Sequence, residues 1–379
     1  MTAPVIDTHC HIVPPDMWKT LRADGSRYGV DITGDDKRWI VRLEGSGHAR
    51  PMYMPLTHDA ERIATMDVQG VDMQVLAGWV DFSGYTMPLD LGIKFSELQN
   101  ETVAAVVAAK PDRYAGAANV PLQDARAAVK VMERAASEFG FKAAQIATYL
   151  GPSRFLDDPE LDPFWQAAQE MKVLLLFHPY DEQPAAGLHE YFLHNCIGYP
   201  LQSTVAVARM MFGGVFTRFP DLMVRIPHGG GLLPALIERF RHAADFRPEP
   251  RAKGFRGDPL DVIKRLYYDT LTFSPAALRY LVDLVGADRL MLGSDYPFEM
   301  AEADPVGIAK AGVPEAHHEA VLGGTAARIL CLDPACTQTR PVTSGKQLLV
   351  PAGALGDFFG PGTTVGIPFA AQIGVRLTF

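Results

Sequence analysis

Short apolar runs alternate along this chain with longer stretches whose apolar positions recur every three or four residues, and the alternation persists from residue 5 to about residue 330. Runs of the first kind read as strands and stretches of the second kind as amphipathic helices. Strands are predicted to begin near residues 5, 73, 114, 141, 173, 222, 265 and 289. The fifth, Val173-Leu174-Leu175-Leu176-Phe177-His178, is unbroken, as expected of a strand covered on both faces. Helices are predicted from Asp59 to Gln69, stopped by Gly70, over 95 to 109, and from a cap at Asp124 to Phe139. Asp162-Pro163 supplies a capping carboxylate and a first-turn proline for a helix to Met171, and Ser274-Pro275 starts another that Gly286 ends. Further helices are expected over Leu201 to Phe216, and from Gly229-Gly230-Gly231 to Phe246.

Strand and helix in regular alternation imply parallel pairing, and eight such units imply a closed (β/α)8 TIM barrel. An open doubly wound sheet is the competing architecture, but no glycine-rich dinucleotide fingerprint follows the first strand. Residues 13 to 56 and 181 to 200 interrupt the pattern and read as long insertion loops without regular structure, which would shape the barrel mouth. The pattern stops near residue 332. Residues 332–379, rich in Pro, Gly and Thr with apolar runs at Gln347 to Val350 and Val375 to Phe379, read as a C-terminal arm beyond a barrel of residues 1–331.

Composition narrows the field of partners. The chain has 379 residues, a net charge of −9 and 48% hydrophobic residues, all ordinary for a globular enzyme. No Lys/Arg run offers the basic face that nucleic acid requires. Residues 1 to 20 lack the features of a secretory signal, and no apolar segment reaches the ~18 residues that span a bilayer. A cytoplasmic protein, without nucleic-acid or membrane partners, is expected. Its four cysteines, Cys10, Cys196, Cys331 and Cys336, are too scattered for a disulfide framework and read as thiols.

Candidate chemistry collects where a barrel would put it, at the C-terminal ends of strands. His9 and His11 close the first strand, where side chains two apart share a face. His178 ends the fifth strand, His228 the sixth, and Ser294-Asp295-Tyr296-Pro297 follows the eighth. Taken singly, each has an ordinary explanation as a hydrogen-bonded core histidine or a turn aspartate. Their common rim favours a metal site. His9, His11, His178 and Asp295 suit one divalent ion, Zn²⁺ first, with Mn²⁺, Fe²⁺ or Co²⁺ compatible with the same donors. A metal-bound water would titrate near pH ~7, and His228, whose own range lies close by, is the candidate proton shuttle.

These segments together, His9-x-His11, His178, His228-Gly229-Gly230-Gly231 and Gly293-Ser294-Asp295-Tyr296-Pro297-Phe298, resemble the amidohydrolase superfamily. Within it the chain is most similar, over about residues 4 to 330, to the branch of aminocarboxymuconate-semialdehyde decarboxylase and related aromatic-acid decarboxylases. The resemblance implies a barrel of the metal-dependent hydrolase type. It also implies non-oxidative loss of CO2 from a small conjugated or aromatic carboxylic acid, with His228 and Asp295 catalytic. Dinuclear relatives carry a bridging lysine on the fourth strand; Gln145 stands there instead, so one metal is implied. Arg50, in Arg50-Pro51-Met52-Tyr53, matches an arginine that binds substrate carboxylate, a task suited to a guanidinium fork. Arg239 and Arg247 fall where the family places further arginines, the latter reaching a neighbouring subunit, which implies a homodimer or higher oligomer. Phe298 and Tyr191 could wall a flat substrate.

Two other readings compete. On the same scaffold, a hydrolase or hydratase would act on an amide, lactone or C=C bond. A catalytically silent barrel would bind a small molecule or a partner protein without turnover, which the complete donor set argues against.

Overall fold

The computed structural model describes residues 3–180, 187–332, 340–341 and 347–348. In chain order its elements begin with β1 (Ile6–Ile12), α1 (Pro15–Asp24), β2 (Val30–Asp35), β3 (Arg38–Leu43), β4 (Ala49–Pro51), α2 (Asp59–Gln69) and β5 (Met73–Gly78). There follow α3 (Leu89–Ala109), β6 (Tyr114–Asn119), α4 (Ala125–Glu138), β7 (Ala143–Ala147), α5 (Asp162–Glu170) and β8 (Leu174–His178). The series continues through α6 (Tyr199–Phe212), α7 (Val215–Arg218), β9 (Val224–Ile226), α8 (Leu233–Phe246), α9 (Pro259–Ile263) and β10 (Tyr267–Asp269). It closes with α10 (Pro275–Val285), β11 (Leu290–Met291), α11 (Pro305–Gly312) and α12 (Thr325–Leu330).

Eight parallel strands pair in the order β1-β5-β6-β7-β8-β9-β10-β11, surrounded by helices, as the alternation predicts for a (β/α)8 barrel. The ring closes beyond β11. There the chain runs along β1, with the Thr8 amide donating to the Leu292 carbonyl at 2.8 Å, Asp295 to His9 at 2.7 Å and His11 to Tyr296 at 2.7 Å. This seam joins the start of the chain to residues almost three hundred positions later, and Asp295 lies on it. Gly293 permits the close approach, since a Cβ there would sit 2.8 Å from the Cβ atoms of both His9 and Asp269.

Local signals hold where their partners are local. Gly70 ends α2 in the left-handed conformation at φ 70°, the Asp124 side chain accepts from the Ala127 amide at the start of α4, and Ser274 does the same for Ala277 in α10. The core fills the space between strands and helices, with all five residues of both β7 and β8 buried. Among the described residues no helix is long and apolar enough to cross a membrane.

Several expectations are corrected. Residues 13 to 56 are not an irregular loop: they form α1 and an antiparallel sheet of β2, β3 and β4. Val30, Val41 and Leu43 from that sheet join Met17 and Trp18 of α1 and Phe95 and Leu98 of α3 in a second core. At about 2 kcal/mol for each large apolar side chain fully buried, this sheet is a fixed wall of the mouth. Asp162 does not cap α5; it is the helix's first residue and binds Arg218, with Arg218 Nε donating to it at 2.8 Å. Gly213 and Gly214 split the helix expected over 201 to 216 into α6 and α7, because Gly214 turns to φ 78°. The glycine triplet precedes α8 as a turn and does not open it. Cys331 is disulfide-bonded, so the reading of all four cysteines as thiols fails there, while Cys10 and Cys196 are free.

The chain divides into two compact units, Met1–Leu330 and Cys331–Phe379. Described residues of the second form one short antiparallel pairing, Arg340–Pro341 with Gln347–Leu348. The rest of the predicted C-terminal arm, including Cys336 and the run Val375 to Phe379, lies outside the described residues.

Candidate metal centre

All five predicted groups meet at the barrel mouth. Asp295 Oδ1 lies 3.3 Å from His9 Nε2, 3.2 Å from His11 Nε2 and 3.9 Å from His178 Nε2, and Asp295 Oδ2 lies 3.7 Å from His228 Nε2. One donor atom from each of His9, His178, His228 and Asp295 falls within 4.8 Å of every other. His11 belongs to the same cluster through its contact with Asp295, its ring centroid 4.6 Å from that of His178.

Hydrogen bonding decides which atoms are available. His9 Nδ1 faces Asp269 Oδ2 at 2.6 Å, His11 Nδ1 the Gly78 carbonyl at 3.1 Å, and His178 Nδ1 the Pro179 carbonyl at 2.8 Å. Each of those partners can only accept, so Nδ1 carries the proton and Nε2 keeps its lone pair. The three Nε2 atoms and Asp295 Oδ1 are buried and satisfy no hydrogen bond. Leaving one such atom bare costs about 1–3 kcal/mol. Four of them converging on one point are what a divalent cation would satisfy, and the donor types fit it.

His228 differs from the other three. Its Nδ1 is buried and has no hydrogen-bond partner among the described residues, so no such contact fixes its tautomer. Its backbone sits at φ 56°, and Asp295 sits at φ 65°, both in the left-handed region that costs a non-glycine residue about 1–3 kcal/mol. Surrounding contacts hold both: the His228 amide donates to Asp269 Oδ2 at 3.0 Å, and the Asp295 amide is tied into the seam.

Burial and charge set the protonation states. Burial pushes His178 down to about 3, which keeps its imidazole neutral and ready to ligate. Burial works to raise Asp295, but the neighbouring His9 and the contacts with His11, His178 and His228 hold it well below the usual carboxylate range. At Asp269, burial is likewise outweighed by the His9 hydrogen bond, the adjacent His9 and His228 rings and the Arg225 charge, leaving it at about 2.

A layer of buried polar residues behind the cluster escaped the sequence reading. Asp7 accepts from the His9 amide at 3.0 Å and from Ser294 Oγ at 2.6 Å. Arg62 donates to the His11 carbonyl at 2.6 Å and lies over the Tyr296 ring. Arg225 pairs with Asp269 at 3.2 Å. Asp269 had the same signal as the others, its place at the end of β10. Asp7 shared a strand face with His9 and His11, whereas Arg62 and Arg225 showed only as charges in apolar patterns.

The predicted substrate contacts divide. Phe298 stands at the cluster, its ring centroid 5.2 Å from His11 and 5.6 Å from Tyr53. Arg50, on β4, forms an ion pair with Asp81, Nε to Oδ1 at 2.6 Å, and lies over Tyr180, beside a small cleft with Ser46 and His48. Arg239 and Arg247 are exposed at α8 and its end, Arg247 paired with Glu249, and neither is brought to the cluster. Tyr191 is 84% exposed. Gln145, at the position of the bridging lysine, donates to the Gly78 carbonyl at 2.9 Å. A cavity of about 420 Å³ opens beside His228 and Asp295, walled by Leu271, Phe273, Met300 and Tyr199, with no lysine or arginine among its lining residues.

Comparisons with known proteins agree with this geometry. The amidohydrolase family profile matches residues 6–332. The 2-amino-3-carboxymuconate-6-semialdehyde decarboxylase of Dictyostelium discoideum is 29% identical over 334 residues, covering 87% of this chain and 92% of that protein. The crystal structure of 5-carboxyvanillate decarboxylase from Sphingomonas paucimobilis aligns with a TM-score of 0.73 at 25% identity, over 87% of this chain and 99% of that one. A dihydroxybenzoic acid decarboxylase from Polaromonas sp., solved with bound manganese and 2-nitroresorcinol, shares the fold with a TM-score of 0.71 at 21% identity, over 87% of this chain and 97% of that one.

Proposed function

The chain belongs to the amidohydrolase family, and from that premise we propose a metal-dependent carboxy-lyase that removes CO2 non-oxidatively from a small aromatic or conjugated carboxylic acid. The observation that carries this reading is the convergence of four unsatisfied buried donor atoms, from His9, His11, His178 and Asp295, at the mouth of a barrel whose relatives include decarboxylases. Zn²⁺ suits three imidazoles and a carboxylate; Mn²⁺, present in a structural neighbour, is the other candidate. Gln145 in place of a bridging lysine supports a single ion.

When bound, the ion supplies positive charge that holds and polarises the acid. The neutral imidazoles of His9, His11 and His178 and the Asp295 carboxylate bind it, each imidazole oriented through its Nδ1 proton. His228 handles the reacting proton, because its ring borders both the cavity and Asp295 and its tautomer is unconstrained. As imidazolium it protonates the carbon that bears the carboxylate. The bond to the carboxylate then breaks, its electron pair restores the conjugated system, CO2 leaves, and His228 regains a proton from solvent. Asp295 Oδ2, at 3.7 Å, steadies the imidazolium. Phe298 beside His11 and the apolar cavity wall match a flat substrate and limit water. Arg50 is assigned to a substrate carboxylate on its chemistry, in competition with Asp81, and Arg239 is left without a role. Exposed Ile197, Leu201 and Val205, four residues apart, support a homodimer or higher homo-oligomer.

The test is CO2 release from a panel of aromatic and conjugated acids by protein loaded with Zn²⁺ or Mn²⁺. His228→Gln is expected to keep its metal and lose about 10²–10⁴ of the rate. Turnover of a lactone, amide or C=C bond with no CO2 from any acid would replace this reading with the hydrolase or hydratase one.

A further inference from the structure

We infer that Asp269 is a positioning residue that sets two parts of the reaction centre at once, the ligating nitrogen of His9 and the backbone that presents His228. The inference rests on the proposed role of His9 as a ligand. Asp269 is fully buried and both of its oxygens are used. Oδ2 accepts from His9 Nδ1 at 2.6 Å, from the His228 amide at 3.0 Å and from Arg225 at 3.2 Å. Oδ1 accepts from the Gly229 amide at 2.7 Å and the Leu271 amide at 3.2 Å. Five donors therefore converge on one side chain that has only acceptors to offer. Arg225 also donates to the Thr8 carbonyl at 3.2 Å, which ties the assembly back to the strand carrying His9.

No isostere can replace a carboxylate in this position. An asparagine must aim its NH₂ group either at Oδ2's three donors or at Oδ1's two. In the first orientation the amide donates to His9 Nδ1, which moves the imidazole proton to Nε2 and blocks the nitrogen that faces Asp295. In the second it opposes the Gly229 and Leu271 amides and displaces the turn on which His228 is held at φ 56°. Either orientation damages one of the two groups.

The experiment measures the Zn²⁺ dissociation constant of the full chain by chelator competition for wild type, Asp269→Asn, His9→Ala and the double variant, with near-UV circular dichroism to establish folding. Asp269→Asn is expected to weaken Zn²⁺ binding by about 10–100-fold, and to weaken it no further once His9 is alanine. If His9→Ala weakens binding while folded Asp269→Asn stays within about twofold of wild type, against the 10–100-fold expected, the positioning role is wrong and the ligand reading stands. If His9→Ala leaves binding unchanged, the ligand reading itself falls and takes the inference with it. Should Asp269→Asn not fold, ¹⁵N-histidine spectra of Zn²⁺-loaded wild type decide. A slowly exchanging proton on His9 Nδ1 supports the clamp, and a rapidly exchanging one overturns it.

Discussion

Asp269 is fully buried and Asp81 half-buried, each holds a basic side chain at the barrel mouth, and their carboxyls are shifted in opposite directions. Asp269 stands at a strand end inside the barrel, receives five hydrogen bonds, and is driven down to about 2. Asp81 sits in a turn after β5 and faces Arg50 Nε at 2.6 Å; there burial outweighs the guanidinium and the carboxyl is raised. The barrel strands place Asp269 among many donors because their ends converge. The antiparallel sheet brings Arg50 to Asp81 and over the Tyr180 ring, with a third of the arginine side chain left exposed. Groups at strand ends are thus fixed by the fold, whereas groups on the inserted sheet are fixed by whichever neighbour they meet.

The largest test of this contrast removes a proposed strand-end ligand. His178→Ala should weaken metal binding by more than the ~10–100-fold typical of an outer-shell loss, with decarboxylation falling alongside it. Elemental analysis of the purified variant checks this, and a full complement of metal would break the distinction between the two regions.

A smaller effect comes from acid. Asp269, near 2 when folded and at its ordinary 3.8 when unfolded, contributes about 2 kcal/mol that is present above pH 4 and disappears as pH falls towards 2. Denaturant unfolding of the metal-free protein from about pH 5 down to about pH 2, a range that brackets the two values, should show this loss. A folded Asp269→Asn variant should show it reduced. An unchanged slope in that variant would place the acid sensitivity elsewhere.

The smallest effect is expected at the inserted sheet. Arg50→Gln should alter stability by no more than about 1 kcal/mol, because a partly exposed ion pair contributes little, and should leave metal affinity at the wild-type value. Its effect should appear in KM for the acid. If metal binding collapsed instead, the sheet would belong to the same mechanical unit as the strand ends.

What the chain disclosed in advance follows the same division. His9, His11, His178, His228 and Asp295 were legible because apolar strands ending in reactive residues obey one rule of position. Asp269 met that rule too, but beside stronger metal donors it looked like an ordinary turn residue. The antiparallel sheet was missed since its strands are short and mostly exposed, with Val30 the one buried residue of β2. Arg50 and Asp81 lie 31 positions apart, and no local pattern announces that they pair. Arg62 and Arg225, buried charges in apolar elements, make sense only after the carbonyls and carboxylates they neutralise are in place.

The seam between β1 and residues 292–296 also has a consequence for synthesis. His9 and His11 leave the ribosome early, but Asp295 is translated nearly three hundred codons later. On the proposed ligand set, a nascent chain would therefore expose two imidazoles to cellular metals long before it owns the carboxylate that would complete the coordination sphere. Full-affinity capture by that set would have to wait until the last barrel strand has emerged from the exit tunnel and docked against the first.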